Sequence, residues 1–322
     1  MCSIFGFLDY KGILGNATLK KLINALAINA EIRGTDATGI SYINDGKLVT
    51  FKKAKPAHKV KLYFPTGIRV VIGHTRLATQ GSEKHNYNNH PFEGKTDGCS
   101  FALAHNGVLH NDEALKLKYN LPETKIETDS YVAVQLLEKY NAVDFESIRN
   151  VSEDVKGSFM FTILRNDNSL FLVKGSNPIA LYHFPEYGIY VYASTKEILE
   201  TALLEAGFAK CKRERIVLND GDILEISADG KMEKAQFEMH EDFFASYRWC
   251  GYGDWYGCNE FEEDTILEDD IAFLSYCFGV DEKDIETLLD YGYTLPEIED
   301  MLLDTDCFEE ALKETKTLLD EC

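Results

Sequence analysis

The run Ser3-Ile4-Phe5-Gly6-Phe7-Leu8 constrains this chain more than any other stretch. It carries no charge and no apolar–polar alternation, so it reads as a buried strand rather than a half-exposed one. Cys2 sits at its tip, directly after Met1. Cysteine is small enough for an aminopeptidase to remove the preceding Met, and the mature chain is then expected to begin at Cys2. Such a residue carries a thiol and a free α-amine together. The thiolate is the nucleophile, with a free-cysteine pKa of about 8.5. The α-amine has a pKa of about 7.7–8.0 and can take the thiol proton, directly or through one water. Read blandly, Cys2 is an incidental residue in a frayed terminus.

Further along, strands outnumber helices. Apolar runs at 69–73, 100–104, 157–164, 170–174, 179–183, 188–192, 216–218 and 222–226 read as strands, mostly at hairpin spacing, and Asp45-Gly46 is a hairpin turn. Leu19, Leu22, Ile23, Leu26 and Ala30 follow Asn16 or Thr18 at helical spacing. Thr128-Asp129-Ser130 is expected to cap a helix to Tyr140, and Thr195-Lys196 to open one to Ala206. Two antiparallel sheets with helices over their outer faces account for this order, which makes the class α+β.

Composition narrows the function. Hydrophobic residues make up 45% of the 322, as in a water-soluble globular protein. No apolar run reaches membrane-spanning length and no leader segment stands at the N-terminus, so a cytoplasmic protein with reduced thiols is expected. The cysteines at 2, 99, 211, 250, 258, 277, 307 and 322 form no CxxC pair, and no metal or cofactor is expected. Charge is divided sharply. Residues 241–322 hold 25 Asp and Glu against 4 Lys and Arg, whereas residues 1–240 hold 29 of each kind. The acidic part argues against nucleic acid and anionic membrane as partners. It also marks a boundary: domain 2–240, an aromatic, glycine-rich linker 241–266, and an acidic helical bundle 267–322.

Polar groups gather at strand ends. Amide hydrolysis needs a nucleophile, a base, oxyanion donors and charges that hold the substrate. Cys2 supplies the first two. The Asn106 side-chain amide and the Gly107 N–H suit an oxyanion, because glycine permits close approach. Arg76 suits a carboxylate, and Asp129 an ammonium. That pair of charges describes an α-amino acid, and a scissile side-chain amide makes it glutamine or asparagine. Each piece has a plain structural alternative: Asn106-Gly107 a turn, Arg76 a surface charge, Asp129 a helix cap, and His74, His90 and His105 satisfied structural histidines.

Met1-Cys2-Ser3-Ile4-Phe5-Gly6, Arg33-Gly34-Thr35-Asp36-Ala37-Thr38-Gly39-Ile40, Gly73-His74-Thr75-Arg76-Leu77-Ala78-Thr79, Asn89-His90-Pro91, His105-Asn106-Gly107 and Thr128-Asp129 together resemble the class II, N-terminal-nucleophile glutamine amidotransferases. The likeness runs over residues 2–230 and includes the amidotransferase domains of glucosamine-6-phosphate synthase and amidophosphoribosyltransferase. It implies a four-layer αββα sandwich, with Cys2 as nucleophile and base, Asn106 and Gly107 as oxyanion hole, and Arg76 and Asp129 as a clamp for L-glutamine. Arg33 is implied to order the nucleophile. Thr79, His90 and His105, within the matching motifs, join the substrate-binding candidates. Ser3, Thr35, Leu77 and Gln80 depart from the family pattern without removing a catalytic group. Ammonia is expected to pass to an acceptor on a separate partner. A free-standing γ-glutamyl amidase and a non-catalytic glutamine-binding module remain the alternatives.

The acidic part is expected to form a helical bundle. Ile271, Phe273, Leu274, Cys277 and Phe278 would form one helix. Asp281 would cap a second ending at Gly292, Thr294–Glu297 would open a third, and Asp306 would cap a fourth carrying Phe308, Leu312 and Leu319. A basic protein is the partner this surface suits, though a merely solubilising face is the alternative.

Overall fold

The structure is a computed structural model that describes residues 2–239, 271, 275, 280–293, 298, 301–302 and 305–320. The chain divides into two compact units, residues 1–243 and 244–322.

The first unit contains thirteen strands: β1 (Ser3–Asp9), β2 (Ala37–Asn44), β3 (Lys47–Lys53), β4 (Val70–Arg76), β5 (Phe92–Lys95), β6 (Ser100–Leu109), β7 (Gly157–Arg165), β8 (Leu170–Lys174), β9 (Ala180–Phe184), β10 (Ile189–Ala193), β11 (Glu214–Ile216), β12 (Asp222–Ile226) and β13 (Met232–Gln236). They form a seven-stranded sheet, β11-β9-β10-β1-β4-β2-β3, and a six-stranded sheet, β13-β12-β8-β7-β6-β5. Every pairing is antiparallel. Five helices accompany them: α1 (Asn16–Asn29), α2 (Asp112–Tyr119), α3 (Tyr131–Tyr140), α4 (Phe145–Asp154) and α5 (Lys196–Ala206).

The pleat of β1 explains why its sequence does not alternate. Ile4 and Leu8 point into the core between the sheets, with Ile72, Ala104, Met160 and Leu172. Phe5 and Phe7 point the other way, into a core closed by Leu22 and Leu26 of α1 and Leu199 and Leu203 of α5. Apolar residues on both faces therefore satisfy two cores at once. A third core packs Val132 and Leu136 of α3 and Ile148 and Val151 of α4 on Phe161 and Phe171. The layers are thus helix, sheet, sheet, helix: the α+β, four-layer αββα sandwich.

Some local expectations need correction. Gly15, not Asn16 or Thr18, precedes the first turn of α1, and no side chain caps it. Ser130 stands at the N-cap of α3 without a side-chain cap bond, and Asp129 turns its carboxylate elsewhere. Thr195 does cap α5, its hydroxyl accepting from the Ile198 N–H at 3.3 Å.

In the second unit Asp281 caps the helix Glu282–Tyr291 by accepting from the Lys283 N–H at 3.0 Å, and Gly292 ends it in the left-handed region at φ 114°. Asp306 lies inside the helix Thr305–Asp320 rather than ahead of it. Ile271, Ile285, Leu288, Ile298, Leu302 and Phe308 share a small core. The linker 241–266, the positions of Phe273, Leu274, Cys277 and Phe278, the turn Thr294–Glu297 and the Leu319 side chain lie outside the described residues. No helix among the described residues is long and apolar enough to cross a membrane.

Candidate active site

Cys2 enters the site at the end of the strand in the middle of the larger sheet. β1 lies between β10 and β4, with Ser3 opposite Thr75 and Phe5 opposite Ala193. The Ile4 N–H donates to the Ser194 hydroxyl at 2.8 Å, so both sides of the strand start are tied down. The thiol donates to the Leu77 carbonyl at 3.4 Å. Arg33 Nε donates to the Cys2 carbonyl at 3.0 Å. Arg33 reaches this point because Gly34 lets the chain pass against β4: a Cβ there would lie 2.5 Å from the Arg76 carbonyl carbon. Burial pushes the Cys2 thiol above its ordinary pKa. The Leu77 bond, the nearby chain amine and Arg76 pull it down, and Asp129 pushes it up. A thiol in this state is protonated at neutral pH and needs a base.

Arg76 and Asp129 are both buried. Arg76, the last residue of β4, donates from Nη1 to Asn89 Oδ1 at 2.7 Å and from Nη2 to the Gln80 and Gly81 carbonyls at 2.5 and 2.8 Å. Much of its fork therefore holds the loop that follows β4. Asp129 accepts from the Leu109 N–H at 2.6 Å through Oδ2 and from the Ser130 hydroxyl at 3.2 Å through Oδ1. Asn88, fully buried, bonds Glu127 reciprocally: its Nδ2 donates to Glu127 Oε2 at 2.7 Å and its Oδ1 accepts from the Glu127 N–H at 3.0 Å. The two charged arms are thus linked through the neighbours Asn88–Asn89 and Glu127–Asp129.

Asn106 and Gly107 lie within β6, which continues as a strand to Leu109. Asn106 Nδ2 is buried and has no partner, whereas the Asn106 carbonyl accepts from Asn177 Nδ2 at 2.9 Å. Gly107 sits at φ 142°, and a Cβ there would lie 1.9 Å from the Ser158 carbonyl oxygen. Only glycine fits.

The three histidines cluster in the seam between the sheets. The His74 and His90 rings lie 4.2 Å apart, and His90 and His105 6.4 Å apart. His74 Nε2 donates to the His105 carbonyl at 3.0 Å. Burial lowers all three, His74 to about 3 and His90 well below its ordinary value; for His105 the Asp129 charge opposes the shift. Both ring nitrogens of His90 are buried without partners. Both ring nitrogens of His105 face protein oxygens, Ser130 Oγ at 2.7 Å and the Ser158 carbonyl at 3.3 Å. His105 therefore stands behind Asp129 rather than open to a substrate. Thr79 is exposed in the loop after β4.

Sequence reasoning passed over Asn89, Leu77, Ser130 and Ser158. Asn89 had a signal in the Asn-His-Pro motif; Leu77 and Ser158 act through backbone carbonyls, and Ser130 through a side-chain contact to His105, 25 positions away, that only the fold supplies. Among the described residues no group of three or more His, Cys, Asp or Glu is placed to hold a metal. A cavity of about 430 Å³ lined by Arg165, Glu225 and Lys231 lies on the smaller sheet and includes none of these residues.

A half-buried cysteine heading the central strand of an αββα sandwich defines the N-terminal-nucleophile kind of fold. A family model described as a glutamine amidotransferase domain matches residues 74–201. Glutamine–fructose-6-phosphate aminotransferase (isomerizing) of Geobacillus kaustophilus is 30% identical over 187 residues, 56% of this chain and 30% of that protein. The 7-cyano-7-deazaguanine synthase 2 of Sulfurisphaera tokodaii is 30% identical over 217 residues, 64% of this chain and 46% of that protein. The glutamine phosphoribosylpyrophosphate amidotransferase structure from B. subtilis superposes with a TM-score of 0.57 at 22% identity, over 74% of this chain and 50% of that one. The chain carries a class II, N-terminal-nucleophile glutamine amidotransferase domain. It spans less than half the length of these two curated relatives.

Proposed function

We propose that this domain hydrolyses the side-chain amide of L-glutamine through a γ-glutamyl thioester on Cys2 and releases ammonia to an acceptor on a separate partner. The observation that carries the reading is the pairing of opposite buried charges, Arg76 and Asp129, that both act on the Cys2 thiol. A cation for a carboxylate and an anion for an ammonium fit the two ends of one amino acid.

In this reading the α-amine of mature Cys2 takes the thiol proton. Sγ then attacks the carboxamide carbon, and the oxyanion forms against Asn106 Nδ2 and the Gly107 N–H. Collapse expels ammonia, which takes the proton back from the amine, and leaves the thioester. Water then attacks the thioester, giving glutamate and the free thiol. The unpartnered Asn106 amide supports this, since it is a donor already desolvated and waiting. Arg33, bonded to the Cys2 carbonyl, orients the nucleophile. His90 packs against His74 and Phe92, with ring centroids 4.2 and 4.3 Å away.

The separate acceptor is part of this proposal, and residues 241–322, with 25 Asp and Glu against 4 Lys and Arg, are the part of the chain offered to it. A basic partner docking on this acidic surface belongs to the same proposal, as does a cytoplasmic location. Such docking weakens steeply with salt, so a co-purifying protein retained equally at low and high salt would remove it.

The test of the hydrolase is ammonia release from glutamine by protein whose intact mass shows Met1 absent. Cys2→Ala should abolish release, and so should retention of Met1. Full activity with Met1 in place would sink the mechanism.

A further inference from the structure

We infer that Ser130, held by His105, is a positioning residue that aims the Asp129 carboxylate and sets the preference for substrates bearing an α-ammonium group. The inference rests on the glutamine-amidase reading above and adds the device behind one arm of its clamp.

Asp129, Ser130 and His105 are all buried, at 5%, 3% and 1% exposure, so water does not compete for their bonds. Asp129 is not a helix cap despite its place at the start of α3. Its two oxygens are fixed from two elements: Oδ2 by the Leu109 N–H of β6 at 2.6 Å and Oδ1 by the Ser130 hydroxyl at 3.2 Å. Ser130 in turn lies 2.7 Å from His105 Nδ1 on β6. Both supports of the carboxylate therefore return to one strand, the same strand that carries Asn106 and Gly107. The oxyanion donors and the ammonium-binding carboxylate are held to a common frame.

Proton counting makes the arrangement specific. A serine hydroxyl has one proton. If Ser130 gives it to Asp129, the short contact to His105 requires the imidazole Nδ1–H to donate. His105 is then the Nδ1–H tautomer, and its Nε2 lone pair faces the Ser158 carbonyl oxygen at 3.3 Å with no proton between them. The competing arrangement puts the proton on Nε2, turns the Ser130 hydroxyl toward His105 and leaves Asp129 Oδ1 without it. Burial keeps His105 neutral, so one tautomer or the other holds.

The experiment compares two amides, L-glutamine and 4-carbamoylbutanoate, which is glutamine without its α-ammonium group. Losing a hydrogen bond to a charged group costs about tenfold, so Ser130→Ala should lower kcat/KM for glutamine by about that factor, through KM. The kcat for glutamine, and kcat/KM for 4-carbamoylbutanoate, should stay near the parent's. Ser130→Thr, which keeps the hydroxyl, should restore the glutamine value. Equal losses for both amides, or no rescue by threonine, would show a merely structural role and overturn the proposal. A second measurement needs no variant: nitrogen-15 NMR of the imidazole in the full chain should find His105 protonated on Nδ1, and protonation on Nε2 alone overturns it. A parent chain that releases no ammonia from glutamine sinks the amidase reading instead, and the tautomer measurement still decides the network.

Discussion

Arg33 Nε donates to the Cys2 carbonyl oxygen at 3.0 Å, joining the turn after α1 to the first residue of the site across 31 positions of sequence. The bond fixes the backbone next to the thiol without touching the thiol itself. Arg33→Ala should therefore lower kcat for glutamine at least about tenfold, the cost of a charge-assisted bond, with KM little changed. Steady-state kinetics with both constants resolved would check this, and an unchanged kcat would remove Arg33 from the nucleophile's support.

Asp129→Asn and Arg76→Ala should each weaken glutamine binding by about 2–5 kcal/mol, because each leaves the partner charge of a desolvated pair uncompensated. The two should differ in one respect. Arg76 also binds the Gln80 and Gly81 carbonyls, so its loss should expose the loop after β4 to proteolysis, whereas Asp129→Asn should not. Asn106→Ala should lower kcat by about a hundredfold with KM nearly constant. A kcat equal to the parent's would withdraw Asn106 from the oxyanion hole.

The histidine cluster predicts acid sensitivity. His74 is pushed down to about 3 by burial, and His90 and His105 are lowered for the same reason. In the unfolded chain each would titrate near 6.5. The unfolded state thus binds more protons below that pH. The stability that follows is fully present above about pH 6.5 and is lost progressively as pH falls toward the folded values. Thermal unfolding should show Tm falling from pH 6.5 to 4.5. His90→Phe, which removes one of the three without losing a bond, should reduce the slope. An unaltered slope would mean that His90 is not buried neutral.

Two glycines offer a paired test. Gly107→Ala adds a Cβ 1.9 Å from a backbone oxygen at φ 142°, whereas Gly207→Ala, at φ 93°, meets nothing within 4 Å. The second should cost only the conformational strain, about 1 kcal/mol. The first should cost well over twice that, since backbone must move. Denaturant unfolding of both variants decides; equal costs would mean that β6 yields easily at this point.

What the sequence made readable was the apolar part of this architecture. β1 and the early run of β4 are visible because they bury both faces. The strand carrying Asn106 and Gly107 was readable only to Ala104, because His105-Asn106-Gly107 breaks the apolar pattern while the ladder to β7 continues to Leu109. The helix α4 went unread although Asp144 and Ser147 form a capping box, since Phe145, Ile148 and Val151 are its only apolar residues toward the core. At the site, residue types revealed charge and nucleophile but not partners. Asp129 looked like a cap because it precedes a helix. Its actual bonds run to Leu109 and Ser130, and the first of these joins positions 20 residues apart that only the fold unites.

A chain end is ordinarily the part of a protein that can be trimmed, tagged or left to fray. Here the opposite holds, because β1 is flanked by a strand on each side and its residues fill two cores. Shaving a handful of residues from this end would remove the middle of the larger sheet, and its halves, β11-β9-β10 and β4-β2-β3, would lose the strand that joins them. Slow hydrogen exchange at Ile4 to Leu8 would report opening of the whole sandwich, not local breathing.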